Sequence, residues 1–159
     1  MEYRQALEAP RTVQATDLLR EAAGAVQQRA DAAGIGIALA KHGVLQLRGD
    51  PFLLRQALIN LLDNALDFAP RGSTVELGAR ASGHGVVFEV ADRGAGVPDY
   101  ARARVFERFY SLPRPDGGSR SSGLGLPFVA QVAQLHGGRA ALEAREGGGS
   151  VASLTVKDA

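Results

Sequence analysis

Four short segments hold the residue types best suited to chemistry, and they follow one another over residues 56–126. In the first, Gln56, Asn60, Asp63, Asn64 and Asp67 recur at three- and four-residue spacing, a polar stripe along one side of a helix. A solvated helix face is the plain alternative. Amides, however, are mediocre helix formers that compete for backbone hydrogen bonds, and Lys or Glu would serve solvent better. Paired asparagines on one face supply carbonyl oxygens, which suit a hard cation such as Mg2+ when phosphates complete its shell.

The second segment is Asp92-Arg93-Gly94-Ala95-Gly96. An alternating strand over 86–91 delivers Asp92 at its end, and two glycines spaced by one residue let the backbone approach a flat ligand. A carboxylate there can accept a hydrogen bond from an exocyclic amine such as adenine N6; taken alone, the loop reads as an Asp-Gly turn. The third is Phe106-Glu107-Arg108-Phe109-Tyr110, whose phenylalanines read as core anchors and whose Arg108 is within reach of a phosphate. The fourth, Gly123-Leu124-Gly125-Leu126, opens a helix, where free backbone N–H groups at the positive dipole end make a phosphate site. Arg120, Ser121 and Ser122 add donors just before it. The spacing matches neither a Walker loop nor a Rossmann fingerprint.

The elements that must position these segments are legible in outline. Thr16 can cap a helix over 17–33 that stops at Gly34. Strands over 35–40 and 44–48, around a His42-Gly43 turn, are expected to form a hairpin. Asp50-Pro51 starts a second helix, whose apolar stripe is Leu54, Ala57, Leu58, Leu61, Leu62 and Ala65, and Pro70 and Gly72 end it. Strands over 74–81 and 86–91, a short helix near 100–109, a loop over 113–123 and a helix over 126–136 follow. A hairpin of strands 139–145 and 150–156, turning at 147–149, closes the chain. The start, with its Pro10, reads as a connector over 1–13. Three main helices and five or six strands, mostly in hairpins, predict an α+β fold: a two-layer sandwich with a mixed, mostly antiparallel sheet of about five strands packed on three helices.

Bulk properties narrow the classes further. The chain has 159 residues, 45% of them apolar, the size and composition of one packed domain. No apolar run approaches the roughly 20 residues that span a bilayer, and Glu2, Arg4, Glu8 and Arg11 interrupt any signal-peptide pattern, so a soluble chain is expected. A net charge of +1 with interspersed signs gives no reason to expect nucleic acid as a partner. The absence of cysteine excludes disulfides and thiolate metal sites and fits a reducing compartment.

Together, in this order and spacing, the segments resemble the catalytic ATP-binding domain of bacterial sensor histidine kinases, in the superfamily shared with DNA gyrase B, MutL and the Hsp-type chaperones. The N box resembles Asn60-Leu61-Leu62-Asp63-Asn64-Ala65, the first glycine box Asp92–Gly96, the F box 106–109 and the second glycine box Gly123–Gly125. The resemblance covers roughly residues 12–157 and implies the Bergerat fold, with ATP and Mg2+ as cofactors. It implies that Asn64 holds the Mg2+ that bridges the phosphates, with Asn60 beside it as the second catalytic position. Asp92 would read the adenine amine, with Gly94 and Gly96 admitting the base. Residues 111–122 would form a mobile lid, Gly123 and Gly125 would hold phosphate oxygens, and Arg108, Tyr110, Arg120, Leu124 and Leu126 would complete the ATP-binding set. It further implies a linker or dimerisation-helix end over 1–12 and the catalytic domain over 13–159. Its expected partners are a dimerisation domain with the phosphoacceptor histidine and a response regulator. The full-length protein would be a homodimer anchored in the bacterial inner membrane, and the present chain a monomeric cytoplasmic part of it.

Departures from the family pattern matter. Kinases of this family often place Lys or Arg three residues after the second asparagine; here Asp67 stands there. Arg108 and Arg120 are the expected substitutes for that phosphate contact. The third glycine box is matched only loosely by Gly147–Gly149. Gyrase-like ATPases place a glutamate, the general base for water, one turn before the magnesium asparagine; here that position is Asn60, which takes up no proton near neutral pH. A kinase is therefore expected. A gyrase- or MutL-like ATPase, favoured by the Asp63–Asp67 stretch, and a degenerate nucleotide-binding regulatory module remain as alternatives. None of His42, His84 and His136 has the His-Glu or His-Asp context of a phosphoacceptor.

Overall fold

The computed structural model describes residues 10–40, 43–83, 85–96, 98–102, 104–107 and 125–157. Its order is strand β1 (Arg11–Gln14), helix α1 (Ala15–Ala33), strands β2 (Gly36–Leu39) and β3 (Gln46–Gly49), helix α2 (Pro51–Phe68), strands β4 (Thr74–Ser82) and β5 (Gly85–Asp92) and the short helix α3 (Asp99–Arg102). A single 3-10 turn (Arg104–Phe106), helix α4 (Gly125–Leu135) and strands β6 (Arg139–Ala144) and β7 (Ser150–Lys157) follow.

Five strands form one sheet in the order β2-β4-β5-β7-β6, with β2 parallel to β4 and every other pair antiparallel. The three long helices pack on it as a second layer. Period-2 burial along β4 and β7 turns Val75, Leu77 and Ala79, and Ala152, Leu154 and Val156, toward the helices. From the other layer, α2 buries Leu54, Ala57, Leu58, Leu61, Leu62, Ala65 and Leu66. Each fully buried leucine contributes on the order of 1.5–3 kcal/mol. The expected α+β sandwich is the architecture found.

The start of α2 is as the sequence implies. The Asp50 carboxylate accepts from the N–H groups of Phe52 (3.0 Å) and Leu53 (3.2 Å), and Pro51 takes the first helical position. The 74–91 and 139–156 hairpins also form.

The hairpin expected over 35–48 does not form. β2 is the edge strand of the sheet beside β4, and β3 pairs instead with β1 in a separate two-stranded ladder that places Val13 opposite Leu47. Both side chains are buried, and the Ala15 N–H donates to the Leu45 carbonyl (2.9 Å). Two short alternating runs around a turn signal a hairpin locally, but burial of Val13 with Leu47 decides the partner. For the same reason residues 11–13, read as the end of a connector, belong to strand β1.

Candidate functional site

The polar stripe on α2 is divided between two neighbours. On one side Arg29 of α1 bonds the Asp63 carboxylate (2.8 Å) and its backbone carbonyl (3.0 Å), and its other amino group pairs with Asp67. Asp67, the residue at the usual basic position, is thus held by α1. On the other side Gln56 donates to the Asn60 carbonyl oxygen (2.9 Å), and the Asn60 amide donates to the Gly125 carbonyl (3.1 Å). Asn60 therefore ties the middle of α2 to the first residue of α4, and both ends of its side chain are engaged. Asn64 is half-buried beside them. Its amide makes no hydrogen bond to another described residue, which leaves a hard oxygen donor free for a ligand.

The Asp92–Gly96 loop packs on the far end of α2. Asp92 closes β5 with 6% of its surface exposed, and its Oδ1 accepts from the Gly94 N–H (2.8 Å). Burial pushes this carboxyl above the ordinary aspartate range; the Gly94 N–H, the charge of Arg145 and the Ser150 N–H act against that without cancelling it. The arrangement is the Asp-Gly turn read from the sequence, with the Ser150 N–H also at the carboxylate. A Cβ on Gly94 would lie 2.6 Å from the Phe68 carbonyl oxygen, so the loop rests against the helix that carries Asn64. Gly96 has φ +84°, a backbone conformation that side chains other than glycine rarely adopt.

The loosely matched third glycine box also reaches this place. Arg93 donates to the carbonyls of Glu146 (2.8 Å) and Gly148 (3.1 Å), pinning the 145–149 turn against the loop. Gly149, at φ +105°, leaves no room for a side chain against the Asp92 carbonyl. Behind the loop, Arg145 pairs with Glu76 (3.0 Å). Neither Arg145 nor Glu76 stands out in the sequence, where each reads as an ordinary strand-end charge. Gln56 is part of the polar stripe there, but its role in holding Asn60 shows only in the structure.

The structure thus brings Asn60, Asn64, Asp92, Gly94, Gly96 and Gly125 to one end of the sandwich. Leu126 is half-buried against the core, and a side chain on Gly125 would meet open space. Arg108, Tyr110, Arg120, Gly123 and Leu124, with the expected lid over 111–122, lie outside the described residues. Phe106 packs on the core, as an anchor would. His136 is buried: its Nδ1–H donates to the Val132 carbonyl (2.7 Å), and its Nε2 accepts from the Asp50 N–H (3.1 Å). Burial lowers its pKa below the ordinary value, the Val132 carbonyl and Asp50 opposing this only in part.

For a metal, the donor set is sparse. Among the described residues no three carboxylate, imidazole or thiol groups come together. The free Asn64 oxygen fits a Mg2+ that takes its other ligands from phosphates and water, the usual coordination of Mg2+ at nucleotide sites. No helix among the described residues is long and apolar enough to cross a membrane.

This geometry has counterparts. The sequence profile of the histidine kinase-, DNA gyrase B-, and HSP90-like ATPase family matches residues 49–159. Sensor protein CreC of Escherichia coli (strain K12) is 50% identical over 112 residues, 70% of this chain and 23% of that protein. The chain therefore spans less than a quarter of that relative's length. Among solved structures, the ATP-binding domain of PrrB from Mycobacterium tuberculosis is 34% identical with a TM-score of 0.77, over 94% of this chain and 98% of that one. Full-length ShkA in complex with AMPPNP is 34% identical with a TM-score of 0.82, over 98% of this chain and 33% of that one.

Proposed function

The chain belongs to the histidine kinase-, DNA gyrase B-, and HSP90-like ATPase family, and on that premise we propose that it is the ATP-binding catalytic domain of a two-component sensor histidine kinase. It donates the ATP γ-phosphate to a histidine on a dimerisation domain outside this sequence, and a response regulator receives that phosphate in turn. Residues 13–159 are the domain, and 1–12 lead to the dimerisation helices. The full-length kinase is a membrane-anchored homodimer with this part on the cytoplasmic side.

One observation carries the choice of kinase over ATPase. Asn60 stands one helical turn before Asn64, and its amide is engaged by Gln56 and by the Gly125 carbonyl. An amide there neither accepts a proton from water nor is free to move toward it. Bound ATP is then held without rapid hydrolysis, as a phosphoryl donor requires. His136 supports the same reading, since both ring nitrogens are bonded in a buried position and it has no nitrogen to offer as acceptor.

In the bound state the Asp92 carboxylate accepts from the adenine amine. Gly94 and Gly96 admit the plane of the base. Asn64 offers its oxygen to Mg2+, which neutralises phosphate charge when bound. Asn60 holds the start of α4 beside the phosphates, and Arg108, Tyr110, Arg120, Gly123, Leu124 and Leu126 complete the site.

The test is calorimetric titration with ADP and ATP, with and without Mg2+, combined with a hydrolysis assay and γ-labelled ATP. The reading expects Mg2+-strengthened binding, no steady hydrolysis and no label on the chain. Steady turnover of ATP would support the gyrase-like alternative. The absence of nucleotide binding would leave only a scaffold.

A further inference from the structure

Polar ties join α2 to both ends of α4, and the two ties differ in kind. Just past the end of α4, the buried His136 accepts through Nε2 from the Asp50 N–H at the start of α2 (3.1 Å). Val129, Val132 and Ala133 are buried along the same stretch, so packing grips this end of the helix as well. The start of α4 is held differently. Gly125 is exposed, and Leu126, Pro127 and Phe128 are only half-buried. The Asn60 amide reaches this turn from α2 and donates to the Gly125 carbonyl (3.1 Å). One helical turn before Asn60 stands Gln56, whose amide donates to the Asn60 oxygen (2.9 Å).

The direction of this chain of bonds is fixed from its far end. A backbone carbonyl only accepts, so Asn60 must present its NH2 to Gly125, and its oxygen then lies toward Gln56. The two ends of an asparagine amide are nearly alike in shape, and their hydrogen-bond partners choose between them. Turned over, the Asn60 oxygen would face the Gly125 carbonyl, acceptor against acceptor. Gln56 supplies the donor that keeps the oxygen on its own side. We propose that Gln56 is a positioning residue for phosphate binding: by donating to the Asn60 oxygen it keeps the Asn60 NH2 on Gly125, and so holds the first turn of α4 where the nucleotide phosphates meet it. The inference rests on the nucleotide reading of the site.

What the position requires is a donor, and this sets it apart from an ordinary exposed helix pair. Gln56 itself is exposed, so its substitution leaves the core intact. A lysine at 56 still donates to the Asn60 oxygen. A glutamate, which only accepts when ionised, draws the Asn60 NH2 to itself and turns the oxygen against Gly125. The loss of one neutral hydrogen bond corresponds to about two- to tenfold in affinity. The effect is confined to one part of the ligand. The Asp92–Gly96 loop rests on Phe68 at the other end of α2, away from Gln56, so a nucleoside without phosphates does not feel the change.

The experiment combines two readouts on the wild-type chain, Gln56→Glu, Gln56→Lys and Gln56→Met. Nuclear Overhauser contacts of the Asn60 side-chain NH2 report which way the amide faces. Calorimetry gives the affinities of ADP with Mg2+ and of adenosine, each at low and at high salt. In the wild type the Asn60 NH2 contacts the first turn of α4. In Gln56→Glu that contact moves to residue 56, ADP binds about two- to tenfold more weakly at both salt concentrations, and adenosine affinity is unchanged. Gln56→Lys keeps the wild-type contact and, at high salt, the wild-type ADP affinity. Gln27→Glu is the control: Gln27 makes the same kind of exposed pair, with Asp31 on α1, and its replacement changes neither readout. An unmoved contact in Gln56→Glu overturns the proposal, as does a moved contact with unchanged ADP affinity. A loss that disappears at high salt also overturns it, because that is plain repulsion between an exposed glutamate and phosphate. If Gln56→Glu does not fold, Gln56→Met decides: without a donor at 56 the NH2 contact with α4 weakens together with ADP affinity, and no change in either refutes the role. Failure of the wild type to bind ADP at all would sink the underlying nucleotide reading instead.

Discussion

Asp92→Asn sets the stability of the site against its function. The wild-type carboxylate is 6% exposed, and its pKa is raised, above all by burial. An amide of the same shape keeps an oxygen for the Gly94 N–H and removes the buried charge. Because the folded-state carboxyl lies above its unfolded value of about 3.9, wild-type stability declines as pH climbs from that value through the folded one. The variant lacks this decline. At neutral pH its nucleotide-free form is expected to be at least as stable, and each kcal/mol of relief raises Tm by about 2–4 °C in a chain of this size. Nucleotide binding moves the other way. The acceptor facing the adenine amine becomes an NH2, so a hydrogen bond to a charged group, about 1.5–3 kcal/mol, is lost. That is about ten- to a hundredfold in Kd. Scanning calorimetry without nucleotide and ADP titration with Mg2+ measure the two quantities on one preparation. If ADP affinity is unchanged, Asp92 is only the acceptor of a turn. If affinity and Tm fall together, the carboxylate is structural.

Three further outcomes follow from the same geometry. Asn64→Ala removes the free amide oxygen and should abolish most of the Mg2+-dependent part of ADP affinity, leaving the metal-free affinity nearly unchanged in paired titrations. His136 is held as the neutral tautomer and its folded-state pKa is lowered; wild-type stability is therefore full above about pH 6.5 and is lost as pH falls from there through the folded value. His136→Gln, which keeps an acceptor for the Asp50 N–H, should flatten that loss between urea denaturation curves at pH 7.5 and 5.5. Asp67→Lys replaces an ion pair to Arg29 by a like-charge contact on a partly exposed surface and should destabilise by up to about 1 kcal/mol in urea denaturation, with Arg29→Gln in the same chain relieving the repulsion without restoring the charged contact to Asp63; an Asp67→Lys chain that instead stays fully stable and binds ADP more tightly would show that the position faces phosphate.

Much of the site is legible in the sequence because its segments are local. Asp50-Pro51, the leucine stripe and the Asp92–Gly96 loop each carry their own geometry: a cap, a period and a turn. The 35–48 hairpin fails because the decisive contact, Val13 with Leu47, lies about 34 residues apart in the chain and leaves no periodic trace. Arg145 is invisible in the sequence for a similar reason. A charged residue beside a glycine turn reads as solvent-facing, and nothing local says that its side chain crosses two strands to Glu76. The same limit hides the partner of Asp67. The sequence marks an acid where a base is usual, but Arg29 is on another helix.

The polar stripe on α2 shows how one helix serves packing and chemistry together. Neighbouring residues on a helix point about 100° apart, so Asp63 and Asn64 occupy opposite edges of the stripe. The Asp63 edge is satisfied by Arg29 and fixes α2 to α1. The centre is satisfied by Gln56 and Gly125 through Asn60, and fixes α2 to α4. The Asn64 edge keeps an amide oxygen that no other described residue uses. A single carbonyl oxygen is too weak a donor set to hold Mg2+ alone, and the described residues supply no carboxylate cluster to help it. On the proposed reading, a Mg2+ held there would arrive with the phosphates that complete its shell. Metal binding would then report nucleotide binding, and a glutamate in place of Asn60 would add a base at the expense of the tie between α2 and α4. With an amide there, the helix lacks a base for hydrolysis and keeps the tie to the start of α4, which on the proposed reading lies beside the nucleotide.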